Sequence, residues 1–254
     1  MSFVKRVFSI DADLVPPLFG IGRHLILDIE TTGLDTKEDI IICGGFLDYK
    51  TKRAYVYFLP DPLDYPKFRR FLRNTVLWYA RNRYAVWAYN ADFEKSFLNL
   101  PDDVVRDLMV YRVFLRTYYD EEFDEEYDSV DYYLAKMSLV AIDIIKVYYP
   151  KIYLGKEDNP VVKKLESYLS DVLKDYISSD RVPEIYYKKW LLRRDKQAID
   201  TIIHHNFVDL FLELWILWYM AQVVYMLQDA LKDFAIRKFG YLPAEIVRCL
   251  HDFF

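Results

Sequence analysis

Three apolar runs near the start of the chain have the length and alternation of β-strands. The first covers residues 24–30, the second 39–49 and the third 53–59. A polar stretch at residues 49–52 separates the second run from the third and is typical of a hairpin turn. The pattern therefore predicts that the three strands form an antiparallel meander.

The next part of the chain predicts helices that flank a further strand. Apolar residues recur near helical spacing over 66–83, which indicates a helix. Residues 84–89 then predict a fourth strand, parallel to the first because a helix connects the two. Residues 92–100 predict a second helix that Pro101 closes, whereas 107–116 fit a strand or a helix.

The remaining segments predict mostly helices and loops. Residues 1–22 predict a lead-in that lies over the sheet. Residues 120–131 are strongly acidic, and a solvated loop is favoured over an acidic patch that binds a partner. Helical material is predicted at 132–149, 159–178 and 182–194. We therefore expect a single domain over 1–254, with a helical insertion at about 150–195 and a C-terminal tail at about 235–254.

Residues 210–227 are apolar on every side of a predicted helix. A run of this length would be enough for a membrane span. Glu213 and Gln222 interrupt it, and it directly follows Asp209. A helix buried against the sheet is therefore favoured over a membrane span.

The composition fits a protein with a sizeable core, since 53% of the residues are hydrophobic and 18% are aromatic. The formal net charge of −5 argues against nucleic-acid binding over the whole surface, although a local basic groove is sufficient for phosphate contacts. Cys43 and Cys249 give no disulfide framework, and no apolar signal segment is visible. We therefore expect a cytoplasmic protein.

Two carboxylates end the first predicted strand. Asp28 and Glu30 are two residues apart, so their side chains lie on one face of the strand. Acids in this position repel one another unless a cation lies between them, and oxygen ligands suit Mg²⁺ or Mn²⁺. A polar strand face followed by a turn is the simpler interpretation of this triplet alone.

Three motifs in order resemble those of the DEDD 3′–5′ exonuclease superfamily, which has an RNase H-like fold. They are D-I-E-T-T-G-L-D at residues 28–35, N-A-D-F-E at 90–94 and H-H-N-F-V-D at 204–209. The second motif departs from the usual pattern, because Glu94 stands where most members have Asp. The resemblance extends over about residues 22–220. It implies an α/β fold with a mixed five-stranded sheet flanked by helices.

The resemblance also implies the activity and the metal site. The expected reaction is hydrolysis of phosphodiester bonds at single-stranded DNA or RNA 3′ ends, with two Mg²⁺ or Mn²⁺ ions. Asp92 is the alternative to Glu94, although it lies where a helix N-cap is expected. The implied metal ligands are Asp28, Glu30, Glu94 and Asp209.

Two adjacent histidines, His204 and His205, compete for the role of general base. The spacing to Asp209 resembles the His-type exonucleases and favours His204 slightly, whereas His205 stands in the place of the Tyr in the Tyr-type. Asn206 is expected to cap the start of the helix, with Asp209 in its first turn.

Contacts with the terminal nucleotide are expected from residues beside the first two motifs. The basic groups of 67–83, 188–189 and 193–194 would track a phosphate backbone, although a solvated face is the favoured interpretation of each. The candidate substrate-binding residues are Thr32, Gly33, Leu34, Asn90 and Phe93.

The last residues of the sequence resemble a sliding-clamp-binding motif, with Leu250, Phe253 and Phe254 as its apolar positions but without the leading Gln. A role in replication or repair would follow, whereas packing on the protein's own core is the alternative. The main rival to an exonuclease is a catalytically weak or inactive RNase H-like module that binds nucleic acid or a replication partner.

Overall fold

The computed structural model of this chain describes residues 3–16, 18, 23–108 and 160–239. Within these residues a mixed six-stranded sheet has the order β1-β4-β3-β2-β5-β6. The strands are β1 (Val4–Ser9), β2 (His24–Thr31), β3 (Ile41–Asp48), β4 (Arg53–Phe58), β5 (Ala85–Ala88) and β6 (Val105–Asp107).

The antiparallel meander is confirmed. β2 pairs with β3, and β3 pairs with β4, both antiparallel. A turn at 49–52 connects β3 and β4, and Lys52 adopts a positive φ of 54° there. β2 carries the register that matters for the site, because Asp28 lies opposite Gly45 of β3.

The parallel part of the sheet follows the prediction too. Helix α1 (Tyr65–Arg81) crosses over from β4, and β5 then pairs parallel to β2. Helix α2 (Ala91–Leu98) connects β5 to β6, which extends the parallel half. The ambiguous segment that starts at Asp107 therefore begins as the end of a strand, and the part beyond residue 108 lies outside the described residues.

The prediction for the lead-in was wrong. Residues 4–9 form β1, which pairs antiparallel with β4 at the edge of the sheet, so the sheet has a strand more than the expected five. Residues 4–9 do not lie over the sheet, because their backbone completes the hydrogen bonds that β4 leaves open at the edge.

Helices from the second half of the chain cover one face of the sheet. They are α3 (Pro160–Leu173), the short α4 (Val182–Glu184), the π-helical segment Ile185–Leu191 and α5 (Lys196–Phe239). The expected helix start at Asn206 was wrong, because α5 begins at Lys196. Asp195 accepts hydrogen bonds there from the backbone N–H groups of Gln197, to its side chain, and Ala198, to its carbonyl oxygen.

The sheet separates two apolar clusters. Leu25, Leu27 and Ile29 point to α1 and α2, whereas Ile26 points to α5, which packs on β2, β3 and β4. This alternation places Asp28 and Glu30 on the α5 face. None of the described helices combines the length and apolar character that a membrane crossing requires. The acidic run 120–131, the helix 132–149 and the clamp-like motif lie outside the described residues.

Candidate metal-dependent active site

The end of β2 and one face of α5 meet at the site. Glu30 is 6% exposed, and Asp28 is partly exposed toward a cavity. Residues four apart on a helix share one face, so α5 presents His205, Asp209 and Glu213 in a row toward β2. All three of these side chains are buried.

Asn206 connects the helix directly to the strand. Its side-chain Nδ2 donates to Asp28 Oδ2 at 2.5 Å and lies 3.3 Å from the Asp28 carbonyl oxygen. A Cβ at Gly45 would come within 2.1 Å of Asn206 Oδ1 and 2.5 Å of Leu210 Cδ1. The glycine opposite Asp28 therefore leaves the room that Asn206 needs to reach it.

The two histidines have different surroundings. His205 Nε2 lies 3.3 Å from both Glu30 Oε1 and Asp209 Oδ2. Potential ligand atoms of these three residues all lie within 4.8 Å of one another. His204 Nε2 instead lies 3.0 Å from the carbonyl oxygen of Val172, on α3. The geometry brings His205, the slightly less favoured of the two, to the carboxylates and His204 to a helix end.

Residues after α3 cover His205 and Asp209. Tyr176 donates its hydroxyl to Asp209 Oδ1 at 2.7 Å, and its ring centroid lies 4.9 Å from that of His205. Ser179 Oγ lies 3.3 Å from His205 Nε2. His205 is consequently fully buried. No sequence pattern indicates a role for Tyr176 or Ser179, because neither lies in a motif and their contacts depend on tertiary packing.

The start of α2 distinguishes the two candidate acids of the second motif. Glu94 is 3% exposed and points into the cavity. Asp92 points outward, with a side chain that is 84% exposed and lies 2.7 Å from Lys95 Nζ. The helix begins at Ala91 and its N-cap is Asn90, so the expectation that Asp92 lies at the N-cap was wrong.

The acids surround a cavity of about 380 Å³. The expected substrate-binding residues Gly33, Leu34, Asn90 and Phe93 line it. Thr32 does not line it; its hydroxyl donates to Asp39 Oδ1 at 2.9 Å and braces the turn after β2. The other lining residues are Asp28, Ile29, Glu30, Thr31, Tyr89, Glu94, Ser179, Asp180, Pro183, Asp209 and Glu213.

Burial and neighbouring acids raise the pKa of three of these carboxylates. Burial, and then the charge of Glu30, raises the pKa of Asp28 well above its usual value, with further contributions from Glu213, Asp209 and Glu94. Burial is also the largest cause that raises the pKa of Glu94 and of Glu213. Asp28 therefore lies within the field of every other acid on the inner wall of the cavity.

These residues fit a divalent cation. Among the described residues, no Lys or Arg forms an ion pair with Asp28, Glu94 or Glu213. The Oε2 atoms of Glu94 and Glu213 are buried and have no hydrogen-bond partner within the described chain. Buried carboxylates in this state are costly unless a proton or a cation compensates them. An all-oxygen set of this kind suits Mg²⁺ or Mn²⁺, and His205 adds a nitrogen that Mn²⁺ accepts.

A family profile described as the RNase_H superfamily matches residues 25–219. The chain belongs to the RNase H superfamily. The match begins in β2 and ends in α5, so it includes both elements that bring the acids together. Searches of curated proteins and of solved structures found no significant match.

Membership of the RNase H superfamily indicates a nuclease that uses divalent metal ions and acts on nucleic acid. The acidic and histidine cluster described above is where this superfamily member would hold them. Glu213 was overlooked as a site residue, although its spacing of four from Asp209 was a visible signal.

Proposed function

We propose that this RNase H superfamily member is a metal-dependent exonuclease that hydrolyses single-stranded DNA or RNA from the 3′ end. The observation that carries the proposal is the convergence of Asp28, Glu30, Glu94 and Asp209, from three separate motifs, on one cavity. Their order along the chain and the form of the first motif resemble the DEDD exonucleases. A structural acid cluster would not need to face an open cavity.

The size of the cavity supports action at a chain end. A volume of about 380 Å³ lies at the low end of the range for small-molecule sites, which suits a terminal nucleotide rather than a duplex. Ser179, Asp180 and Pro183 close one side. A thin single strand would enter such a site more readily than a double helix.

Asp28, Glu30, Glu94 and Asp209 would hold the divalent ions, which when bound would activate water and stabilise charge on the leaving oxygen. Asp28 is central among these acids and is held by the Asn206 amide. His205 Nε2 lies 3.3 Å from both Glu30 Oε1 and Asp209 Oδ2, where it orients these carboxylates when it carries a proton and accepts a proton when it does not. Tyr176 holds the other oxygen of Asp209.

Apolar groups at the rim would hold the terminal nucleotide. Leu34, near the end of the first motif, is 84% exposed, although leucine is usually buried. Phe93 presents an aromatic ring at the cavity wall, and stacking on aromatic rings is a sequence-tolerant way to bind bases. This arrangement fits an enzyme that removes nucleotides without reading their sequence.

A test uses single-stranded DNA and RNA labelled at the 5′ end, with Mn²⁺. We expect a ladder of shortened products from the wild type, and loss of at least about a hundredfold in rate for Asp28→Asn and for Glu94→Gln. Asp92→Asn is the matched control, because Asp92 lies two residues from Glu94 but faces solvent. A circular substrate should resist cleavage. Cutting of the circle would indicate an endonuclease instead.

A second candidate function is binding without catalysis, for which α1 offers a specific feature. Lys67, Arg70 and the 57%-exposed Trp78 line a groove of about 410 Å³. Basic and aromatic groups together are typical of single-strand binding surfaces. A wild type that binds single strands without degrading them, and loses binding on Trp78→Ala, would favour this candidate.

A further inference from the structure

Glu213 is an acid in an apolar part of α5. Its neighbours Leu212, Leu214 and Trp215 are buried, and Glu213 itself is 1% exposed. It lies one helical turn beyond Asp209 and lines the same cavity. No motif of the resemblance includes it.

The surroundings of Glu213 leave its charge uncompensated. Its Oε2 has no hydrogen-bond partner within the described residues, and no described Lys or Arg forms an ion pair with it. The backbone of Tyr89 provides a hydrogen bond, but the nearby charges are those of acids, first among them Glu94. A buried carboxylate in such a place needs either a proton or a cation to compensate it.

Glu94 shares this condition. Its Oε2 is likewise buried and unpartnered, and it lines the same cavity from the start of α2. Two buried oxygens from two different elements therefore face one space without a protein partner. Two such carboxylates provide oxygen ligands of the kind that a divalent cation requires.

We propose that Glu213 is an additional carboxylate of the divalent-cation site, where it acts together with Glu94. The inference rests on the proposed function, since it assigns another residue to the same site. In this arrangement Glu213 compensates for the departure at position 94, where Glu replaces the Asp of most relatives. A purely structural role, with Glu213 protonated in the core, is the competing explanation.

The test is calorimetric titration of the full chain with Mn²⁺ alone, together with thermal unfolding with and without Mn²⁺. We expect Glu213→Gln to weaken Mn²⁺ binding about tenfold to hundredfold, the loss typical of groups that support a metal site. The unfolding temperature of the metal-free protein should rise, because one of several repelling charges is gone. Asp200→Asn is the matched control, an exposed acid on the same helix that pairs with Arg6.

The competing explanation predicts unchanged Mn²⁺ affinity in Glu213→Gln, and that result would overturn the inference. If the buried amide prevents folding, Glu213→Met removes the charge at similar length without leaving a polar group unpaired. Asp28→Asn helps to distinguish failure of the inference from failure of the proposed function. Loss of binding in Asp28→Asn with full binding in Glu213→Gln would remove only the inference. A wild type that binds no Mn²⁺ would remove the proposed function and the inference together.

Discussion

β2 and α5 contribute to the cavity in different ways. β2 presents Asp28 and Glu30 two residues apart at the end of a strand, where Asp28 is open to the cavity. α5 presents buried groups four apart, and its Asn206 and His205 make the contacts that hold the strand acids. Both elements provide carboxylates to the cavity, and the helix in addition fixes the orientation of the strand acids. Loss of the strand acids should therefore abolish the nuclease activity. Loss of the helix contacts should instead leave the strand acids misplaced.

The largest effect is expected on the nuclease rate, from variants of the two histidines of α5. His205→Ala should lower the nuclease rate by about a hundredfold, the upper end of the cost of losing a group that orients metal ligands. His204→Ala should change it by less than about threefold, because the Nε2 of His204 lies against the Val172 carbonyl oxygen and not against the carboxylates that contact His205. Rates of the two variants at equal Mn²⁺ concentration check this prediction. Equal losses in both variants would show that the buried position of His205 is not what matters.

The close packing of β3 against α5 should contribute to the free energy of unfolding. Gly45→Ala should lower the free energy of unfolding by about 1–3 kcal/mol, because its Cβ would displace Asn206, which is held by Asp28. Gly44→Ala is the control on the opposite face, where the Cβ would meet only the flexible end of Leu72, at 2.8 Å from Cδ1. Denaturant unfolding measures both. A larger cost for Gly44→Ala would contradict the packing described here.

The acid cluster predicts how stability depends on pH. The folded protein holds Asp28, Glu94 and Glu213 at raised pKa values, whereas the unfolded chain ionises them near 3.8 for Asp and 4.5 for Glu. The unfolded state therefore releases protons first as pH rises, so the metal-free protein should lose stability from about pH 5 toward about pH 8.

Divalent metal should reverse this trend, because it binds the ionised carboxylates and competes with protons. The rise in unfolding temperature on addition of Mn²⁺ should consequently be greater at about pH 8 than at about pH 5. Thermal unfolding in the presence and absence of a chelator measures both trends. Metal-free protein that becomes more stable with rising pH would be the opposite result.

The smallest effect is expected from Tyr176, which covers His205 and Asp209 of α5. Tyr176→Phe removes the hydroxyl that donates to Asp209 but keeps the ring beside His205. We expect a loss of about 1 kcal/mol in stability and about tenfold in rate. Tyr168→Phe serves as a control, because its ring packs on Phe211 of the same helix away from the cavity. Equal rates for the two variants would assign Tyr176 to packing alone.

The features predicted most accurately are local in the sequence. The meander depends on alternation and a hairpin turn between neighbouring strands, and the face of Asp28 and Glu30 depends only on the period of a strand. β1 was missed because its pairing partner, β4, lies far along the chain. The start of α5 was wrong because Asn206 looked like a cap, although Asp195 before Lys196 gave a similar signal.

The sequence by itself determined that acids end a strand, that another acid follows at the start of a helix, and that His-His-Asn precedes Asp209. Spacing in a known element fixes these relations, because the backbone period fixes which side chains share a face. Tertiary structure alone decided that His205 faces the acids, that Tyr176 covers Asp209 and that Glu213 lines the same cavity as Glu94. Those relations depend on how α5 rotates against the sheet, and that rotation is set by packing contacts such as Gly45 with Asn206, between residues remote in the chain.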